Sequence, residues 1–131
     1  MKTLLTFAAA TLMATASYAD DVFGTWKTAP DDNGRTGHIK VGLCSNGKIC
    51  GQLVQGFDEN GKKSASPHDG KLIIWDMEPQ GGGKYGNGKV WAPDRDKTYN
   101  SKMELVDNNN LKISGCILMI CRDGGVWSRV N

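Results

Sequence analysis

The chain has 131 residues and a formal net charge of +2, with 39% hydrophobic and 23% charged residues. This balance excludes both a disordered tail and a bundle of membrane-spanning helices, and the length predicts a single domain. The near-neutral charge also argues against nucleic acid as a partner, because domains that bind nucleic acid cluster Lys and Arg on a basic face.

The first nineteen residues predict a secretory signal peptide. Lys2 gives a positive start, Leu4 to Ala16 is apolar apart from threonines, and Ser17-Tyr18-Ala19 places small residues at a cleavage site. The rival is an uncleaved anchor, but the apolar run is too short and too weakly flanked. No Cys follows it to carry a lipid, and no second apolar run is long enough to span a membrane. We expect cleavage near Ala19, one domain over residues 20–131, and a location in the periplasm or outside the cell.

The first of two cysteine pairs flanks a hairpin signal. Export to an oxidising compartment favours disulfides for an even number of cysteines. Cys44 and Cys50 lie on either side of Asn46-Gly47, a dipeptide that tolerates positive φ in a tight turn. A three-residue loop centred on Gly47 would set Ser45 opposite Ile49 and Cys44 opposite Cys50, within reach of a disulfide.

The second pair, Cys116 and Cys121, brackets four apolar residues. A two-residue turn at Leu118-Met119 would set Ile117 opposite Ile120 and the two cysteines opposite each other, although Leu-Met is poor turn chemistry. The rival for all four cysteines is a zinc site. Neither spacing is Cys-x2-Cys, so we expect disulfides and no metal.

Short segments with alternating apolar and polar residues fill the rest of the chain, and none shows a helical period over three turns. In the best example Ile39, Val41 and Leu43 share one face. The predicted strands are Val22–Thr28, His38–Cys44, Ile49–Gln55, Lys71–Glu78, Asn87–Ala92, Lys97–Val106, Leu111–Leu118 and Gly125–Val130. The pattern predicts an all-β fold, an eight-stranded antiparallel up-and-down barrel with little or no helix.

Three expectations follow from this barrel. The cysteines fall on the polar faces of their strands and should lie outside it. Only Phe57–Gly70 and Pro79–Gly86 read as longer loops, and Gly81-Gly82-Gly83 should make the second mobile. Alternating strand directions place Phe57–Gly70 at the same end as Ala29–Gly37, so we expect any ligand to enter there.

The first and last strands carry a recognisable combination, Gly24-x-Trp26 and Arg129. This resembles the lipocalin and wider calycin arrangement, in which a Trp on the first strand closes one end of the barrel and an Arg on the last strand packs over it. A guanidinium on an indole face is a physically sensible seal. The resemblance implies that Gly24, Trp26 and Arg129 form such a seal here.

The chain from Val22 to Val130 also resembles a bacterial family of short exported proteins, domain of unknown function 2147. The matching motifs are Gly24-x-Trp26-x-Thr28, Cys44 with Cys50-Gly51, Gly88-x-Val90-Trp91-x-Pro93, Thr98-Tyr99, Leu111-x-Ile113-x-Gly115-Cys116 and Trp127-Ser128-Arg129-Val130. In the middle loop the family usually has Asn-Pro and a basic residue, where this chain has Ser64 to Gly70. The resemblance implies a lipocalin-like barrel and export, and it implies no established activity.

Catalytic chemistry finds little support in the sequence. No Gly-x-Ser-x-Gly turn is present, and His38 should lie on the surface. Asp94 and Asp96 read as a solvated turn, and Asp58-Glu59-Asn60-Gly61 lacks the bidentate Glu of a calcium loop. We therefore expect no enzyme activity and no cofactor.

Aromatic residues are the better candidates for binding. Trp75, Trp91, Tyr99 and His68 could line a barrel mouth, since ligand sites combine aromatic walls with a few polar groups. For Tyr99 a core position is the favoured interpretation, and the facing of Trp75 and Trp91 stays open.

Two functions remain, and neither involves catalysis. The first is binding of a small apolar molecule in or at the mouth of the barrel. The alternative is a protein-binding barrel, such as a periplasmic protease-inhibitor-like protein or one that contacts another envelope protein; a purely structural envelope role also stays open. An open interior would favour the first function, and a filled core would favour a protein that acts through its surface.

Overall fold

A computed structural model describes residues 20–131, so the predicted signal peptide over residues 1–19 lies outside the described residues. The described residues contain no helix and form eight strands. These are β1 (Gly24–Lys27), β2 (Thr36–Leu43), β3 (Ile49–Phe57), β4 (Leu72–Gly81), β5 (Lys84–Ala92), β6 (Lys97–Asp107), β7 (Asn110–Ile117) and β8 (Ile120–Arg129). Each strand pairs antiparallel with the next, and β8 pairs with β1 to close a barrel. The predicted fold class is confirmed.

Alternating side chains fill the barrel interior. Ile39 and Val41 of β2 are buried, and Leu43, which opposes the buried Ile49, shares their face as predicted but is 67% exposed. Leu43 is the last residue of β2 and therefore extends beyond the core. The buried core consists of Val22, Trp26, Ile39, Val41, Ile49, Leu53, Ile73, Ile74, Met77, Tyr85, Met103, Leu111, Ile113 and Trp127.

Two irregularities, one in β4 and one in β5, interrupt the alternation of inward and outward side chains. Asp76 and Asn87 both have left-handed backbone angles, with φ of 58° and 59°. Beside Asp76, the pairing of β4 with β3 shifts between Ile49 and Gly51. Beside Asn87, the pairing of β5 with β6 shifts between Tyr85 and Gly88. Each extra residue moves the following side chains to the opposite face.

The predicted mobile loop over Pro79–Gly86 is wrong. Strand β4 continues to Gly81 and β5 begins at Lys84, so only Gly82 and Gly83 form the turn, with φ of 64° and 79°. The Leu105 N–H donates to the Gly83 carbonyl at 2.8 Å. Glycine here provides the positive φ of a tight hairpin turn.

The β2–β3 hairpin has a longer loop than predicted. Leu43 faces Ile49 and Gly42 faces Cys50, so the predicted three-residue loop, with Cys44 opposite Cys50, is wrong by two positions. The N–H of Cys44 donates to the Lys48 carbonyl at 2.7 Å, which closes the loop from within. The two cysteines nevertheless lie at disulfide distance, with Cα atoms 5.1 Å apart.

The β7–β8 hairpin has the predicted register. Ile117 faces Ile120 and Cys116 faces Cys121, and the second cysteine pair is also at disulfide distance. Strand β8 starts at Ile120 directly after the turn, so its predicted start at Gly125 is wrong. Its first half was not predicted because the residues from Arg122 to Gly125 are polar or glycine. Cys116 and Cys50 take outward positions but are only 6% and 7% exposed.

Candidate functional site

The two ends of the barrel differ. Because the strands run up and down in chain order, the β1–β2, β3–β4, β5–β6 and β7–β8 connections share one end, which we call the loop end. It includes residues 58–71, the longest connection, and residues 28–35. The remaining connections and the segments 20–23 and 130–131 lie at the other end, which we call the sealed end.

At the sealed end, Trp26 is fully buried, and its indole N–H donates to the Val22 carbonyl at 2.9 Å. The Arg129 guanidinium carbon lies 4.3 Å from the centre of the Trp26 ring. The same guanidinium donates to the carbonyls of Phe23 at 3.0 Å and Asp21 at 2.6 Å. The residues predicted for the seal are therefore brought into contact.

Two further contacts tie residues 20–24 to this end. The Tyr85 hydroxyl donates to the Asp20 carboxylate, and burial together with this carboxylate raises the pKa of Tyr85 above its usual range. Gly24 has a φ of 137°, and a Cβ there would lie 2.4 Å from the Asn131 carbonyl oxygen. Only glycine fits that position, so the main chains at Gly24 and Asn131 pack directly against each other at this end.

Inside the barrel, glycines sit against opposing side chains. A Cβ on Gly51 would come within 2.9 Å of Ile39, and a Cβ on Gly88 would come within 2.8 Å of the Met77 sulphur. Large side chains thus occupy the space that small residues leave. A barrel of eight strands is just wide enough to be filled in this way.

The structure separates the predicted binding residues. Trp75 faces the exposed Lys89 and Trp91 faces the exposed Thr98, so both take outward positions in the register; both indoles are half-buried, and Trp91 also packs against the core. Tyr99 faces Val90, which packs against the core, and a Cβ on Gly115 would touch its ring at 3.4 Å.

His68 and Trp91 do come together on the outer wall near the loop end. Their rings lie 5.0 Å apart, edge to face, and the Lys71 ammonium is 5.3 Å from the Trp91 ring centre. The indole N–H of Trp91 donates to the Asp96 carboxylate at 3.0 Å. The Nδ1 of His68 is buried and has no hydrogen-bond partner among the described residues. This small aromatic and polar cluster is one candidate site.

His38 is half-buried rather than on the open surface as predicted. Its ring lies 4.6 Å from that of Phe57. Burial, followed by the charges of Lys27 and Lys63, lowers the pKa of His38 below its ordinary value of 6.5. Both the packing and the lowered pKa favour a neutral imidazole in a structural position.

The sequence reasoning did not select the tip of the β7–β8 hairpin as a site. Ile117, Leu118, Met119 and Ile120 are 60%, 88%, 95% and 72% exposed. Leu118 also has a φ of 56°, a left-handed conformation that is uncommon for a residue with a side chain. The poor turn chemistry of Leu-Met was the available signal. The Leu118-Met119 turn and the two isoleucines beside it thus expose four apolar side chains, although Leu and Met are poorly suited to such a turn.

Two open grooves extend to the base of this hairpin, and the first of them includes tip residues in its lining. One, of about 490 Å³, is lined by Leu118 and Met119 together with Asn87, Asn100 and Lys102. The other, of about 320 Å³, is lined by residues of β5, β6 and β7. Both reach Cys121. Polar and basic groups therefore border the apolar tip.

Within residues 20–131, no three His, Cys, Asp or Glu side chains converge as metal ligands would. The same residues include no helix of the length and hydropathy needed to cross a membrane.

A closed eight-stranded antiparallel barrel with a Trp and an Arg at its sealed end is a lipocalin-like fold. Among solved structures, protein HP1028 from the human pathogen Helicobacter pylori, described as belonging to the lipocalin family, matches with a TM-score of 0.66 and 17% identity. The match covers 84% of this chain and 83% of that one, and it shows a shared fold.

The profile of a bacterial family, described as uncharacterized protein conserved in bacteria (DUF2147), matches residues 24–129. The chain belongs to this family. No curated protein gives a significant match.

Proposed function

We propose that this protein is a non-catalytic, extracytoplasmic binding protein that contacts another envelope protein through the loop end. The observation that carries the proposal is the β7–β8 tip, residues 117–120, whose apolar side chains are 60–95% exposed above the Cys116–Cys121 pair. Contiguous apolar surface of several hundred Å² bordered by polar groups is typical of an interaction site.

The local conformation supports a functional reason for this surface. A left-handed non-glycine residue costs on the order of 1 kcal/mol, and Leu118 gains no burial in return because it is 88% exposed. The same chain uses Asn46-Gly47 at its other clamped hairpin, where the turn is polar. Binding of the tip by a partner would explain why apolar residues stand where glycine or asparagine would be more stable.

The surroundings favour a protein partner. Protein interfaces have an apolar centre and a polar rim, and here Asn87, Asn100 and Lys102 border the tip. The close packing of core side chains against Gly51 and Gly88 is an argument against an enclosed ligand. The cysteine pairs fit an oxidising compartment, which agrees with the signal peptide expected over residues 1–19 and with the periplasm or the exterior as location.

Site-specific photo-crosslinking in the source bacterium tests this proposal. A photoreactive residue at Met119 should give a discrete crosslinked protein, and the same residue at Leu43, which is 67% exposed at the sealed end, should not. The double variant Leu118→Asn/Met119→Gly should fold and lose the crosslink from position 117. Equal crosslinking from positions 119 and 43, or a crosslink that survives the double variant, would refute the proposal.

A second candidate function, binding of a small apolar molecule at the mouth of the barrel, is favoured by the aromatic contact between His68 and Trp91 near the loop end. Trp75, on the same outer wall, and Tyr99, at the same end of the barrel, would extend such a site. Titration with a hydrophobic dye should then shift the amides of residues 66–71 and 91–96, and Trp91→Ala should abolish the shifts. Shifts confined to residues 46–48 and 81–83 would place binding at the sealed end instead.

A further inference from the structure

The first half of β8 has a free edge. Strand β1 pairs with only Arg129 and Ser128 of β8 before its chain follows β2, where the Thr28 N–H donates to the Gly37 carbonyl at 2.9 Å. Over the described chain, no backbone hydrogen bond joins Ile120–Gly124 to any segment other than β7. All five of these residues are exposed. Within the closed barrel, the first half of β8 therefore presents an unpaired strand edge at the loop end.

The hairpin register identifies the groups on this edge. In a two-residue hairpin the pair next to the turn, Ile117 and Ile120, exchanges hydrogen bonds, so the next pair does not. The Cα atoms of Cys116 and Cys121 are 4.0 Å apart, which agrees with a non-hydrogen-bonded pair. The N–H and C=O groups of Cys121, and two residues later those of Asp123, consequently point away from β7 toward the free edge.

We infer that this edge binds an extended segment of the partner protein by strand addition. The inference rests on the proposed function and specifies how the partner is recognised. An extended backbone is the structure that satisfies strand-edge N–H and C=O groups spaced two residues apart. The Cys116–Cys121 pair holds the edge in register, which lowers the entropic cost of docking.

The side chains beside the edge define the chemistry of that segment. Ile120 is 72% exposed next to the edge and favours an apolar residue opposite it. Arg122 is exposed, and none of the ion pairs among the described residues includes it. The segment should therefore carry an apolar residue near the tip and an acidic residue beside Arg122.

A second copy of the chain fits this edge poorly. Opposed residues of an antiparallel pair lie on the same face of the sheet. If two copies paired through this edge about a two-fold axis, one residue of the edge would therefore lie opposite the same residue of the other copy. Centring the axis on Arg122 or Asp123 opposes like charges, and centring it on Cys121 sets Asp123 against Met119. The neighbouring connections at this end mix both signs of charge and form no basic patch of the kind that attracts anionic lipid; the acidic residues are Asp31, Asp32, Asp94 and Asp96, and the basic ones are Arg35, Lys62, Lys63, Lys71 and Arg95.

The test uses the full mature protein and a phage-displayed library of random linear peptides. Asp123→Pro removes an N–H that β7 does not use, while Asp123→Ala keeps it and loses the same charge. Enriched peptides should combine apolar and acidic residues. They should bind Asp123→Ala about as well as the parent, and Asp123→Pro roughly tenfold more weakly or worse. Bound peptide should slow hydrogen exchange at the Cys121 and Asp123 amides and leave Arg122, already bonded to β7, unchanged.

Equal binding to both Asp123 variants, or no enriched peptide, would overturn strand addition. So would binding of the protein alone to phosphatidylglycerol vesicles, or self-association, if Asp123→Pro abolished it, because the edge would then serve lipid or a second copy. Loss of the in-cell crosslink in the tip variant but not in Asp123→Pro would refute strand addition and leave the proposed function intact. A crosslink insensitive to the tip would refute the proposed function.

Discussion

The two clamped hairpins, β2–β3 and β7–β8, use the same cysteine device at opposite ends of the barrel with opposite tips. In the first, Asn46 bonds the Lys48 N–H at 3.0 Å and the Asp76 carboxylate at 2.9 Å, and Lys48 pairs with Glu78 at 3.0 Å. In the second, the tip residues are apolar and make no such contacts among the described residues.

The difference shows that a cysteine clamp does not by itself indicate what a hairpin is for. Both turns contain a left-handed residue, but Gly47 has no side chain to strain and Leu118 has one. The β2–β3 tip is attached to β4 and contributes to stability. The β7–β8 tip is crosslinked at its base, and its four apolar residues are 60–95% exposed. Variants in each region can separate parts of the molecule that stabilise the fold from the hairpin that exposes an apolar tip.

The largest effect should come from the sealed end. Trp26→Ala removes a fully buried indole and should lower the free energy of unfolding by about 3–5 kcal/mol, measured by chemical denaturation. Arg129→Lys should cost less but remain measurable, because Lys cannot stack on the ring or reach several carbonyls at once. An unchanged melting temperature for Trp26→Ala would contradict the assignment of stability to this end.

Removal of either clamp should have the next largest effect. Cys44→Ala/Cys50→Ala and Cys116→Ala/Cys121→Ala each open a loop with a sequence separation of 6 or 5 residues. Chain entropy predicts a loss of roughly 2 kcal/mol for each. Only the second double variant should weaken partner crosslinking. If the first variant weakened it equally, the functional contrast between the hairpins would not hold.

Opposite changes are expected at the two turns. Gly47→Ala places a side chain at a φ of 83° and should lower stability by about 1 kcal/mol. Leu118→Gly relieves the left-handed strain and should leave stability unchanged or raise it by up to about 1 kcal/mol. Paired thermal melts of the two variants measure both. A Leu118→Gly variant as destabilised as Gly47→Ala would show that the apolar tip stabilises the fold.

The smallest effect should be a pH dependence at the loop end. The pKa of His38 is lowered in the folded state, so its stabilising contribution is complete above the ordinary value of 6.5 and is lost as the pH falls below that value. The melting temperature of the parent should therefore fall more steeply than that of His38→Gln between about pH 7.5 and about pH 5. Parallel slopes would show that His38 titrates equally in both states.

Local sequence patterns predicted much of the fold. The register of Cys116 with Cys121 followed from a two-residue turn, and the burial of Ile39 and Val41 followed from alternation. The register at Cys44 was wrong because a bracketed Asn-Gly does not determine loop length. The Gly81–Gly83 run was read as mobile because composition alone cannot distinguish a flexible glycine from one required by a turn.

The candidate site was harder to predict. The facing of Trp75 and Trp91 depends on the irregularities at Asp76 and Asn87, and a period of two along the sequence does not reveal such shifts. The contact between His68 and Trp91 joins a loop to a strand, so no local pattern encodes it. The free edge of β8 depends on where β1 stops pairing, which is a property of the closed barrel.

Strands β1 and β8 pair over only a short stretch, here called the β1–β8 seam, and this pairing bears on the order in which the barrel folds and unfolds. Its pairs, Trp26 with Arg129 and Lys27 with Ser128, join segments about 100 residues apart, whereas every other seam joins consecutive strands. Contacts of such separation carry the largest loop-closure entropy and form late. Both clamps lie within single hairpins and impose no order on this closure. The β1–β8 seam should therefore close last during folding and open first in native fluctuations.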